Sequence, residues 1–256
     1  MLDKIAEKAA ELKRIMPDDP QLNDWLRQSD LWCWLYSYFR ISGQVVSRSS
    51  VASMVSGELK EDIALSLYAF AGRYRDVYYD MSSCLAMDAD LDAKTLSRWA
   101  GMLTDPQEPR REGSLYRLNS PIIYEWEHIP PHFKDLPKYT EELLKNSREL
   151  LRVKDPIELA ARMHMELNRL YPYGEDTVLM SMTALLYCIL RLGLPAPELS
   201  IGDIEYNKMA VKYFEDRDIE PFADMLKRSI FNRLDQVLGI IKQAAENAGQ
   251  NEQEQR

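Results

Sequence analysis

The sequence predicts an all-α protein that carries one small β-hairpin. Three observations lead there. The chain has only 10 glycines in 256 residues, and long stretches place apolar residues at the three- and four-residue spacing of an amphipathic helix. The stretch 176–192 is apolar on nearly every side, the pattern of a helix at the centre of a bundle. A single region, 104–135, departs from helical periodicity and reads in part as extended chain.

The elements follow in order. Residues 2–15 form a predicted helix with Ile5, Ala9, Leu12 and Ile15 on one stripe, ended by Pro17-Asp-Asp-Pro20. A second helix spans 21–42 and carries Trp25, Trp32, Trp34, Tyr36, Tyr38 and Phe39. That is more aromatic surface than one face holds, so burial on several sides is expected; a partner groove is the alternative use of the tryptophans. Ser47-Arg-Ser-Ser reads as a polar break. A third helix is expected over 58–80, with Ile63, Leu67, Phe70 and Tyr74 in register, and a short one over 92–103 after an Asp92 N-cap. Two extended runs near 114–118 and 121–127 would meet at Asn119-Ser120 as a hairpin. Helix returns at 135–150 and at 155–170, the latter opened by Asp155 and Pro156. The loop Tyr171–Thr177 precedes the apolar helix, which stops at Gly193. Helices at 204–216 and 219–246 complete the chain. The expected division is a helical region 1–57 packed on a core domain 58–246, with a polar tail 247–256 read as disordered.

Charge and composition exclude several functions. The net charge is -9 and the pI about 5.0, so neither nucleic acid nor an anionic membrane is an expected partner. No window is apolar enough for a membrane span. The first residues alternate charges and lack an apolar signal-like stretch, and Cys33, Cys84 and Cys188 are widely spaced. Reduced thiols in a cytoplasmic protein are the expectation.

Residues 155–224 resemble the Fic/Doc (Fido) family. The carriers are Asp155-Pro-Ile-Glu-Leu-Ala-Ala-Arg-Met-His164, Leu170-Tyr-Pro-Tyr, the apolar helix with Gly193-Leu-Pro, Tyr206, and Asp218-Ile-Glu-Pro-Phe. Upstream, Tyr116-Arg117 and Ile129-Pro-Pro are similar to the family's hairpin flap and the segment after it. In order and spacing the likeness extends over 60–235. It implies a Fic-like helical bundle with a hairpin flap, in which Tyr116, Arg117, Ile122 and Ile123 would face a target. A hairpin beside the 171–176 loop is the feature expected to separate this fold from a generic helical bundle.

The family's active-site loop reads His-Pro-Phe-x-Asp/Glu-Gly-Asn-Gly-Arg-x-x-Arg. Here the His position is Tyr171, Pro172 is kept, and Phe becomes Tyr173. The acidic position is kept as Glu175. Gly-Asn-Gly becomes Asp176, Thr177 and Val178, and the arginines become Leu179 and Met182. Each change works against the family's AMP transfer. A tyrosine with its reference pKa near 10 is a poor base at neutral pH. Val178 resists the positive φ that glycine takes freely. Asp176 puts negative charge where a phosphate would sit, and the lost guanidiniums would have neutralised it. The expectation is a degenerate motif with no catalytic or cofactor-binding residues, in a binding or regulatory pseudoenzyme with a protein partner. The alternative is a transferase that modifies a protein with altered donor chemistry, built from Tyr171, Tyr173, Glu175, Asp176 and His164. Mg2+ and ATP are expected only on that alternative, with Glu175 the one candidate metal ligand.

Other candidates have plainer readings. His164 lies two turns before Tyr171 and reads as a hydrogen-bonded core histidine or a group reaching the loop. His128 and His132 lack metal-ligand spacing. Arg117 could serve a target, a nucleotide or a surface ion pair. Ser49-Ser50 and Gly57-Glu58 are similar to the family's inhibitory segment at the wrong spacing, and the arginine that such a glutamate pairs with is Met182 here. Met163, Met165, Met180 and Met182 read as core.

Overall fold

The computed structural model describes residues 1–104 and 116–254, with side chains as far as Glu246. Its helices are α1 (Leu2–Ile15), α2 (Pro20–Ile41), α3 (Arg48–Ser56), α4 (Leu65–Ala86), α5 (Ala93–Leu103), α6 (Leu136–Leu144), α7 (Pro156–Leu170), α8 (Thr177–Arg191), α9 (Asp203–Asp216) and α10 (Glu220–Glu254). Helix α8 is central. Nearly all its side chains are buried, and it packs on α7, α2, α4 and α5. Helix α10 lies against α7, and α1 covers α10 with Ile5 and Leu12. Helix α9 rests on α2 and α7. The all-α class is as the periodicity predicts.

Local chemistry accounts for the boundaries. Asp19 caps α2 by accepting from Gln21 N, at 2.9 Å. Asp92 caps α5 by accepting from Thr95 N at 2.7 Å, and Asp155 caps α7 by accepting from Glu158 N at 2.9 Å. After α8, Gly193 takes the left-handed φ of 70° that ends a helix cheaply.

The structure corrects the sequence expectations in three places. The break at Ser47 is the start of a helix: Ser47 Oγ accepts from Ser50 N at 3.0 Å and caps α3. The helix expected over 58–80 runs Leu65–Ala86. Residues before it form a loop tied down by Tyr68, whose hydroxyl accepts from Lys60 N at 2.8 Å and donates to Glu58 O at 2.7 Å. The helix expected over 135–150 ends at Leu144 and tightens into a 3-10 segment, Lys145–Glu149. Helix α10 runs from Glu220 to Glu254.

The hairpin is the largest difference. Residues 114 and 115 of its first run lie outside the described residues, and no described residue belongs to a strand. Residues 123–128 form a closed turn. Ile123 and His128 exchange backbone hydrogen bonds of 2.9 and 3.1 Å, making one isolated antiparallel bridge around a 3-10 turn, Tyr124–Trp126. Trp126 explains the shape. Its ring meets Tyr171 and Phe214 edge-on, and its Nε1 donates to Asn207 Oδ1 at 2.8 Å. Burying that side chain curls the segment onto α9 in place of an extended strand.

Candidate functional site

Helix α7 ends at Leu170, and Tyr171 turns the chain with a left-handed φ of 50°. That conformation is unfavourable for a residue with a Cβ. Its N–H bonds back to Leu167 O at 3.0 Å. Arg117 holds the other side: its Nε donates to Tyr171 O at 2.8 Å, and its backbone N–H donates to Pro172 O at 2.8 Å. The remaining guanidinium N–H groups reach the carbonyls of Asn119, Pro131 and Leu170. Arg117 is only 1% exposed, and no described carboxylate pairs with it. The residue expected to face a target or nucleotide is instead a buried clamp. Five N–H donors in a rigid fork suit it to gathering several carbonyls at once.

The rest of the loop is closed in a similar way. Tyr173 is buried and stacks on Tyr116, with ring centroids 5.6 Å apart. Its N–H donates to Thr177 Oγ1 at 3.1 Å, and Thr177 is itself buried. The turn's second left-handed residue is Gly174, with φ 64°. Thr177 already has helical φ and ψ of -60° and -41°, so Thr177 and Val178 belong to the first turn of α8. Leu179 and Met182 point into the core. Glu175 and Asp176 are exposed beside the α8 N-terminus, where the helix dipole favours negative charge. Tyr171 is half-buried against Trp126, and burial together with Glu175 and Glu125 pushes its phenol above the ordinary value. A phenol so placed stays protonated at neutral pH and makes a poor base.

His164 does not reach the loop. It is buried beneath it, in a hydrogen-bonded network. Tyr206 Oη lies 2.8 Å from its Nε2, Asn168 Nδ2 donates to Tyr206 Oη at 2.8 Å, and Ser181 Oγ donates to Asn168 Oδ1 at 3.1 Å. Phe222 stacks on the imidazole at 5.0 Å. Burial pushes the His164 pKa down to about 4. Asn168 and Ser181 were not singled out from the sequence. Their signal was an amide and a hydroxyl placed among mostly apolar helix faces.

Of the four residues expected on the flap, only Ile122 is exposed; Ile123 is buried, Arg117 is the clamp, and Tyr116 is covered by Tyr173. The exposed apolar side chains of this segment are Leu118, Ile122, Tyr124 and Ile129. His128 Nε2 lies 2.8 Å from Arg169 O, which pins the turn to α7. His132 Nδ1 accepts from Lys134 N, capping its own turn. Glu58 accepts from Ser53 Oγ at 3.3 Å. Among the described residues no three His, Cys, Asp or Glu side chains gather as a metal centre. No helix among them is long and apolar enough to cross a membrane.

No family model matches the sequence. Solved structures of Fic-domain proteins do match the fold. A Fic domain-containing signaling protein from Bacteroides thetaiotaomicron superposes with a TM-score of 0.77 at 14% identity, over 93% of this chain and 98% of that one. A Fic family protein from Desulfovibrio desulfuricans gives 0.66 at 17% identity, over 93% and 74% of the two chains. Fic-1 from C. elegans gives 0.69 at 14% identity, over 93% and 70%. A hairpin, which no described residues form, therefore does not separate a Fic-like fold from a generic bundle as expected. The 116–133 segment reaches the 171–176 loop through Arg117, without strand pairing. With helices, central α8 and clamped loop in place, the chain has the fold of the Fic-domain proteins.

Proposed function

We propose that this chain is a Fic-like pseudoenzyme that has lost the family's AMP transfer and acts by binding or regulation. The observation that carries the reading is the fate of the two arginine positions. Leu179 and Met182 are packed in the core at 5% and 0% exposure, so the N-terminal turns of α8 offer no cation to a nucleotide phosphate. The rebuilt loop adds support, since Thr177 and Val178 lie in helix where the motif has glycine-rich turn. A protein partner is the proposed ligand, held as an extended segment along the exposed Leu118, Ile122, Tyr124 and Ile129. The net charge of -9 speaks against nucleic acid and anionic membrane. Three buried, unpaired cysteines support a cytoplasmic location.

The alternative, a transferase with altered donor chemistry, would need a polar cluster open to a donor. His164 and Tyr173, two of its five candidates, are enclosed, which weighs against it. The test is calorimetric titration of the purified chain with ATP and Mg2+, alongside incubation of the chain and a cell lysate with labelled ATP. We expect no saturable nucleotide binding and no labelled protein. Strong ATP-dependent labelling that disappears in Glu175→Ala would overturn the proposal.

A further inference from the structure

We propose that the N-terminal helices hold a second site, a pocket that binds a phosphate monoester dianion between Arg27 and Arg75. The pocket lies where α2, the end of α3 and α4 meet, and encloses about 100 Å³. Arg27 and Leu31 stand one turn apart on α2, and Arg75, Tyr78 and Tyr79 share a face of α4. Leu31 and Val55 supply the apolar lining, while Gln28 and Ser56 add polar groups.

The charge balance points to an anion. No carboxylate lines the pocket. Of the acids flanking Arg27 on α2, Asp30 pairs with Arg233 at 2.7 Å, and Asp24 stays outside the lining, accepting from the lining residue Gln28 at 2.8 Å. Arg27 and Arg75 have no hydrogen-bond or ion-pair partner among the described residues. The chain carries 41 acids against 32 Lys and Arg, and Arg148, Arg162, Arg169, Arg191 and Arg217 each have a carboxylate partner. Two unpartnered arginines that line one pocket, with no carboxylate in its lining, are a local excess of positive charge.

Chemistry and size narrow the ligand. Two guanidinium forks match a doubly charged tetrahedral oxyanion better than a single carboxylate. Burial keeps the Tyr78 phenol protonated, so it adds no competing negative charge. The volume holds a phosphate group and leaves the esterified group outside, beside the half-exposed ring of Tyr79. The site is separate from the 171–182 loop and does not depend on how that loop is read.

The test is isothermal titration of the full chain with phenyl phosphate and with inorganic phosphate. We expect one saturable site for phenyl phosphate, weakened about tenfold or more by Arg27→Gln or Arg75→Gln and absent in the double variant. Affinity should rise with pH through the second phosphate ionisation, near about 6, and fall with added chloride. Tighter binding of the aryl ester than of inorganic phosphate would assign a contact to the Tyr79 ring; equal binding would assign recognition to the phosphate alone. Both arginines are exposed, so the variants should keep the parent melting temperature. No saturable heat from either ligand, or binding unchanged in a folded double variant, would overturn the proposal, as would affinity for the parent chain that ignores chloride.

Discussion

His164 sits two turns before Tyr171 on α7, with its ring against Tyr206, Asn168 and Phe222. Its Nδ1 faces the Ser181 backbone without closing a hydrogen bond. A charged imidazole there would lose hydration and gain no counter-ion, which is why its pKa falls to about 4. The folded value lies below the ordinary 6.5 of an unfolded chain, so the unfolded state takes up the proton first. Stability from this group is complete above pH 6.5 and is lost as pH falls toward 4. The loss should amount to about 3 kcal/mol. Urea titrations of the parent and of His164→Gln over that range should show a flatter pH dependence in the variant, even though it is less stable at neutral pH. Parallel pH profiles would remove His164 as the source. Arg117 follows related logic. From the sequence it was an arginine near a flap with three plausible uses. Its use as a clamp depends on the carbonyls of Leu170 and Tyr171, more than 50 residues further on, and of Pro131, brought together only by folding.

Helix α8 carries the test of the proposed loss of AMP transfer. Its N-terminal turn begins at Thr177, and the positions that would carry cations face the core. Met182→Arg would place a guanidinium at a site with 0% exposure. We expect it to destabilise the chain by about 3 kcal/mol or more, read as a lower urea midpoint, with no gain in ATP binding. A variant that keeps its stability and binds ATP would mean that the core opens easily at this point, against the reading of a closed site. At the level of elements, much was legible. The caps Asp92 and Asp155 and the apolar stripe of α1 carry their own local signals. Helix α3 was missed because Ser47-Arg-Ser-Ser favours loops and helix starts alike. The strand reading of 121–127 failed because Trp126 has a partner in Asn207, 81 residues further on, and tertiary burial outweighs strand preference.

Across the whole molecule, the N-terminal helices are tied to the last one. Lys8 pairs with Asp235 and Lys242 with Glu11 at 2.7 Å. Deeper in, Arg233 of α10 bonds Asp30 at 2.7 Å and Ser29 Oγ at 2.8 Å on α2. We propose that 1–57 is a helical region packed on a 58–246 core and unfolding with it, joined by this buried pair. Asp30→Ala should lower stability by about 3 kcal/mol, because it strands the Arg233 charge. Asp30→Leu with Arg233→Met should lower it less, and all three proteins should melt in one transition. A parent chain that melts in two steps, the first unaffected by Asp30→Ala, would separate the two regions.

By itself the sequence determined the helical class, the central place of α8 and the residue types of the loop 171–182. These are local properties: periodicity, caps and residue identity within one loop. Only the tertiary structure decided that Arg117 is a clamp, that His164 is sealed in the core, that residues 123–128 form a docked turn, and that Arg27 and Arg75 share a pocket. Each of those depends on groups from separate elements meeting in space, where burial and available partners, not residue type, set what a side chain can do.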